Sequence, residues 1–94
     1  MGKAEVIAEM ERYRLVAVVR SKSSQEALQT VEGVAEAGVK FVEITFSVPD
    51  ALGVMKELAK RKDLFVGAGT VLSIEQARQA IAAGARFIVS PRWS

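Results

Sequence analysis

The chain contains no cysteine and no histidine. Without cysteine there is no disulfide framework and no thiol chemistry. Without histidine the commonest metal ligand and the usual general base are missing, along with every Ser-His or Cys-His nucleophile pair. No apolar run approaches the about 18 residues that a membrane span requires. The segment Met1-Gly2-Lys3-Ala4-Glu5 holds no apolar signal core. Gly2 would suit myristoylation, but the sixth position is Val6 rather than Ser or Thr. Charge is also scarce in net terms: 13 basic and 11 acidic residues leave +2. The basic residues form only short clusters, such as Lys60-Arg61-Lys62, and no stripe that would follow a nucleic acid. The expectation is a cytoplasmic protein with no metal, nucleic-acid or membrane partner.

What is present is a core-forming composition. Of 94 residues, 50% are hydrophobic and 26% charged, as in soluble globular chains. The length suits a single domain over residues 1–94. The mean hydropathy of +0.20 is high for this size. So small a domain has a limited interior, so part of the apolar surface is expected to meet another subunit or a further part of the same chain.

Periodicity divides the chain into alternating elements. Residues 4–12 carry Val6, Ile7 and Met10 at helical spacing and predict a short leading helix. Leu15-Val16-Ala17-Val18-Val19 is a continuous apolar run ending at Arg20, which predicts a strand buried on both faces. Ser23-Ser24-Gln25-Glu26 fits a capping box and opens a helix that stops at Gly38. A second strand is expected over 41–46. A helix opened by Val48-Pro49-Asp50 follows, then a third strand over 65–70. A second capping box, Ser73-Ile74-Glu75-Gln76, begins a helix that runs to Gly84, and a fourth strand covers 87–90.

This α, β-α-β-α-β-α-β order implies an α/β fold with a parallel sheet and right-handed crossovers. Either an arc of a (β/α)8 barrel or one end of a doubly wound sheet would satisfy it. An internal repeat favours the barrel. Ala37-Gly38-Val39-Lys40-Phe41-Val42 matches Ala83-Gly84-Ala85-Arg86-Phe87-Ile88, 46 residues later, and each copy joins a helix end to a strand start.

In parallel α/β folds, chemistry sits at the carboxyl ends of the strands. Here those ends are Arg20-Ser21, Glu43-Ile44-Thr45, Gly67-Ala68-Gly69-Thr70 and Ser90-Pro91-Arg92. The amino ends begin with Leu15, Phe41, Phe65 and Phe87, which suits packing at the bottom of a sheet. Glu43 interrupts an apolar strand, and a buried carboxylate is costly unless paired or neutralised. It is an outward-facing or Arg20-paired structural residue, or a general acid/base with a raised pKa facing a barrel interior. Arg20 is a salt-bridge partner or a bidentate ligand for a substrate carboxylate or phosphate. The small residues of 67–69 allow tight sheet packing, or a ligand against backbone with Thr70 donating a hydrogen bond. Leu72 stands where a Rossmann fingerprint would need its third glycine.

Three segments in this order and spacing resemble the KDPG/KHG aldolase family: Val-Glu-Ile-Thr-Phe (42–46), Val-Gly-Ala-Gly-Thr-Val (66–71) and Ala-Gly-Ala-Arg-Phe-Ile-Val-Ser-Pro (83–91). The similarity runs from about Leu15 to Pro91 and corresponds to roughly the first half of a family member. It implies the N-terminal half of a (β/α)8 TIM barrel, with four parallel strands in the order 1-2-3-4, truncated at the fourth. It also implies a class I, Schiff-base lyase of Entner-Doudoroff carbohydrate metabolism, acting without cofactor or metal. Such an enzyme splits 2-keto-3-deoxy-6-phosphogluconate, or 4-hydroxy-2-oxoglutarate, to release pyruvate. Carried over by position, Glu43 is the catalytic acid/base, Arg20 and Thr70 hold the pyruvyl carboxylate, and Pro91 walls the pocket.

The chain departs from the family at Ser47, where some relatives carry arginine. It departs further in lacking a credible Schiff-base lysine. Lys3, Lys40, Lys56, Lys60 and Lys62 are not at strand carboxyl ends, and Lys22 lies in a loop where nothing would desolvate it. The 94-residue chain is therefore expected to be inactive alone. Its first and fourth strands are expected to be bare edges that recruit further copies or a missing C-terminal half. The other readings are a non-catalytic, self-associating half-barrel and a small flavodoxin-like binding module.

Overall fold

A computed structural model describes residues 5–11 and 14–90. The elements in chain order are β1 (Glu5–Glu11), β2 (Arg14–Arg20), α1 (Ser24–Glu36), β3 (Phe41–Thr45), α2 (Ala51–Leu58), β4 (Phe65–Gly69), α3 (Ile74–Ala82) and β5 (Phe87–Ile88). They form one five-stranded sheet in the order β1-β2-β3-β4-β5. The last four strands run parallel, with Val18 beside Glu43, Glu43 beside Gly67, and Gly67 beside Phe87. This sequential order excludes a flavodoxin-like arrangement, which would place the second parallel strand outside the first.

The two capping boxes form. Ser23 Oγ accepts from the Glu26 amide at 3.0 Å, and Ser73 Oγ accepts from the Gln76 amide at 3.1 Å. In both, the return bond reaches one residue further back than the cap. The Lys22 amide donates to Glu26 Oε1, and the Leu72 amide to Gln76 Oε1.

The internal repeat is a Schellman turn used twice. Gly38 and Gly84 adopt φ of +97° and +107°. Val39 N donates to Val34 O and Gly38 N to Ala35 O, while Ala85 N donates to Ala80 O and Gly84 N to Ile81 O. These bonds satisfy the last helical carbonyls and turn the chain straight into the next strand.

Strand pleating sends alternate residues to opposite faces. Val19, Val42, Ile44, Val66 and Ala68 face the helices and are fully or almost fully buried against Ala27, Val31, Val54, Met55 and Leu58. Every helix contributes to this one core, so the sheet is covered on a single side. Parallel strands with all crossovers on one side form a barrel arc, because a doubly wound sheet carries helices on both sides. The other face holds the opposite parity: Val18, Phe41, Glu43, Phe65, Gly67 and Phe87. At its amino end Phe41 stacks on Phe65 with centroids 4.9 Å apart, and Phe87 tilts against Phe41 at 6.4 Å.

Residues 5–11 are not the expected helix. They form β1, which pairs antiparallel with β2 over seven positions, from Glu5↔Arg20 to Glu11↔Arg14. The segment carries both periods: Val6, Ile7 and Met10 suit a helix, and Val6, Ala8 and Met10 suit a strand. The outer edge of β2 would otherwise present a row of unpaired N–H and C=O groups, and pairing with it overrides a weak local preference. The first parallel strand is accordingly not a bare edge. Among the described strands, β5 is the edge of the parallel set.

Candidate active site

Of the four expected site residues, Arg20 and Thr70 lie at the carboxyl ends of β2 and β4, and Glu43 lies within β3 between them. Arg20 closes β2 and is exposed; it follows Val18 by two residues, which places it by the pleat on the face that carries Glu43. Glu43 is central in β3 and only 8% exposed. Thr70 directly follows β4 and is half-buried. Pro91 lies outside the described residues.

The position of the Glu43 side chain follows from its neighbour in the sheet. A Cβ built on Gly69 would overlap Glu43 Oε2 and come within 2.6 Å of its Cδ. The carboxylate therefore lies across Gly69, on the helix-free face and toward the carboxyl end of β4. Gly67 makes the same allowance for Phe87, whose ring covers it. The space left by these two glycines, which suits a ligand lying against backbone, is filled by protein side chains.

Thr70 has φ of +55°, an uncommon conformation for a β-branched residue. Strain of this kind persists where the surroundings enforce it, and it concentrates at functional sites. Here the backbone is held by the neighbouring strand, since Phe46 N donates to Gly69 O and Val71 N donates to Val89 O.

A second polar group at this end was not singled out by sequence. Thr45 is fully buried, and its Oγ1 donates to Val19 O at 3.3 Å. The same oxygen lies 2.7 Å from Ser47 Oγ on the exposed turn after β3. Only the spacing Thr-x-Ser at a strand end could have signalled it. Next to Arg20, Ser21 is 5% exposed, and its Oγ has no hydrogen-bond partner.

The described lysines, Lys22, Lys40, Lys56, Lys60 and Lys62, are all exposed. Among the described residues no three His, Cys, Asp or Glu side chains gather as a metal site. No helix there is long and apolar enough to cross a membrane. Two open clefts, of about 460 and 410 Å³, lie in the α1–α2 and α2–α3 grooves. Both are on the side of the sheet away from Glu43, and neither includes Arg20, Glu43 or Thr70. The position of the buried carboxylate is the better guide to chemistry, because these grooves carry only exposed charges and helix flanks.

The family model for KDPG and KHG aldolase matches residues 6–94. The chain belongs to that family. It is 37% identical over 83 residues to the 2-dehydro-3-deoxy-phosphogluconate aldolase of Treponema pallidum, a match covering 87% of this chain and 40% of that protein. It is 32% identical over 78 residues to the KHG/KDPG aldolase of Escherichia coli K12, covering 82% and 37%. Among solved structures, the 2-keto-3-deoxy-6-phosphogluconate aldolase of Zymomonas mobilis superposes with a TM-score of 0.72 at 33% identity, covering 84% of this chain and 37% of that one. The KDPG aldolase of Legionella pneumophila, solved with pyruvate captured as a covalent carbinolamine, has the same TM-score at 34% identity, covering 84% and 38%. The chain thus spans about 40% of the length of these KDPG/KHG aldolases, and its sheet corresponds to the first strands of their barrels.

Proposed function

We propose that this chain supplies the acid/base and carboxylate-binding half of a class I aldolase. The reaction cleaves 2-keto-3-deoxy-6-phosphogluconate to pyruvate and glyceraldehyde 3-phosphate. The observation that carries this reading is the Glu43 carboxylate, buried on the helix-free face and laid across Gly69. A lysine amine outside residues 1–94 would form the Schiff base with the substrate ketone. As the C3–C4 bond breaks, its electron pair moves to the iminium, and ionised Glu43 takes the proton of the C4 hydroxyl. The aldehyde leaves, and protonated Glu43 returns the proton to C3 of the enamine. Arg20 and Thr70 hold the keto acid's carboxylate, with Pro91 at the wall. The five exposed lysines described above support placing the amine elsewhere, since no surrounding structure desolvates them as a Schiff-base amine requires.

The test is to incubate the 94-residue chain with pyruvate and borohydride and weigh it. No stable adduct is expected. A gain of one reduced pyruvyl group at one lysine would overturn the assignment of the nucleophile to another segment. Separately, pyruvate is expected to perturb the amide resonances around Arg20, Glu43 and Thr70, and the carboxylate-site reading fails if it perturbs none of them.

A second, compatible reading is self-association at the β5 edge of the sheet and along α3. Val89 directly follows the edge strand β5, and Leu72, Ile74 and Ile81 lie on and before α3; all four are 40–68% accessible. Exposed apolar residues and an open strand edge favour pairing with another copy or with the segment that completes the barrel.

A further inference from the structure

Both edges of β2 are in use. One pairs parallel with β3. The other pairs antiparallel with β1 at every one of its seven positions, from Glu5↔Arg20 to Glu11↔Arg14. In a closed (β/α)8 barrel each strand has a parallel neighbour on both sides. β2 is the first parallel strand of an arc that matches the Zymomonas mobilis aldolase, so its outer edge is where the last strand of such a barrel must pair. β1 stands in that place with the opposite polarity. It leaves no position of β2 on which a closing strand could start.

The same segment has a second form available, because Val6, Ile7 and Met10 keep helical spacing. Only residues 12 and 13 separate β1 from β2, and so short a tether holds it near the edge at an effective concentration of about millimolar. Free copies of the chain at lower concentration cannot match that. A strand that brings the rest of a barrel can, because it also buries the helix-free face, where Phe65 is still 36% exposed.

We propose that β1 is a strap that holds the barrel-closing edge of β2 shut against further copies of the chain, and that any strand closing the barrel has to displace it. This rests on the barrel fold and not on the roles assigned to Arg20, Glu43 and Thr70.

The experiment uses the 94-residue chain carrying Ile74→Lys and Ile81→Lys, so that α3 does not contribute to association. Hydrogen exchange followed by NMR should show protection of the β2 amides that point at β1. Consecutive amides of a strand point to opposite edges, so Ile7→Pro and Ala8→Pro together must remove one ladder donor. In that variant the protection should fall about tenfold or more. Light scattering should then show masses above the monomer, as bare β2 edges pair between copies, while exchange in β3 and β4 stays as it was. The chain has no cysteine, so Glu9→Cys with Val16→Cys, at facing positions, reports the register directly. It should oxidise to an intramolecular disulfide and keep the chain monomeric at every concentration. Unchanged protection in the proline variant, or a cysteine pair that stays reduced or crosslinks between chains, shows that β1 is not on the edge. Lost protection without a gain in mass shows that β1 does not guard it. Each of these results overturns the proposal and leaves the reading of Glu43 intact. If the prolines unfold the sheet, as exchange in β3 and β4 would reveal, the cysteine pair decides.

Discussion

Glu43 and Gly69 act as one unit. The carboxylate occupies the volume that any side chain at position 69 would need. Gly69→Ala should therefore displace Glu43 and cost roughly 1–3 kcal/mol, the usual range for overpacking. Urea unfolding would measure the loss, and pyruvate-induced shifts near Glu43 should weaken in parallel. Unchanged stability and unchanged shifts would mean that the carboxylate does not depend on this gap. A titration effect sits elsewhere, at the helical side. Arg61 donates to both oxygens of Asp63, at 3.0 and 2.8 Å, and also to Glu32 at 2.9 Å. The hydrogen bonds from Arg61 hold the Asp63 carboxyl below its ordinary value, and the same contacts raise the Arg61 guanidinium. A carboxyl depressed in the folded state stabilises above its unfolded pKa, and that contribution is lost as pH falls through the folded value. Carbon-detected NMR titration should place Asp63 below a free aspartate, and Arg61→Ala should return it toward normal. The Asp63 side chain is about half exposed, so solvent screens the pair and the effect on stability is small.

At the scale of elements, helix ends decide where strands begin. Ser23→Ala and Ser73→Ala each remove an N-cap acceptor and should cost about 1 kcal/mol. The two Schellman glycines separate a conformational cost from a steric one. Both need positive φ, so alanine at either carries the left-handed penalty of about 1–2 kcal/mol. A Cβ at Gly38 would meet nothing within 4 Å, whereas one at Gly84 would come within 2.6 Å of Ala59 Cβ. Gly84→Ala should therefore have the lower urea midpoint. Equal midpoints would show that the contact with Ala59 relaxes freely. β1 illustrates the reverse dependence, in which a segment with no decisive period takes its form from the edge available to it.

The whole molecule is asymmetric in three ways. Its helices cover one face of the sheet, its candidate chemistry lies on the other, and its two edges are treated differently. β1 closes the outer edge of β2, while β5 is an edge with exposed Val89 directly after it and exposed Leu72, Ile74 and Ile81 on and before α3. Light scattering should find the chain larger than its 10.2 kDa monomer at high concentration. The double variant Ile74→Lys, Ile81→Lys should shift it back toward the monomer without altering its fold by circular dichroism. A chain that is monomeric at every concentration removes the self-association reading and leaves the active-site assignment intact.

Local sequence determined most of the parallel architecture. The capping boxes, the two Ala-Gly helix ends and the short β-branched runs each specify their structure through contacts within a few residues, so they are legible without the fold. Glu43 was legible as a candidate for a related reason: a carboxylate inside an apolar strand conflicts with its surroundings, which set it apart in the sequence. Tertiary structure decided what depends on a neighbour distant in sequence. It made residues 5–11 a strand, because the edge of β2 supplied partners that the segment could not name. It gave Gly69 to the Glu43 carboxylate and Gly67 to the Phe87 ring, because register across strands sets which side chain fills which gap. It also joined Thr45 to the Val19 carbonyl, 26 residues away, because only the assembled sheet brings a buried hydroxyl to that acceptor.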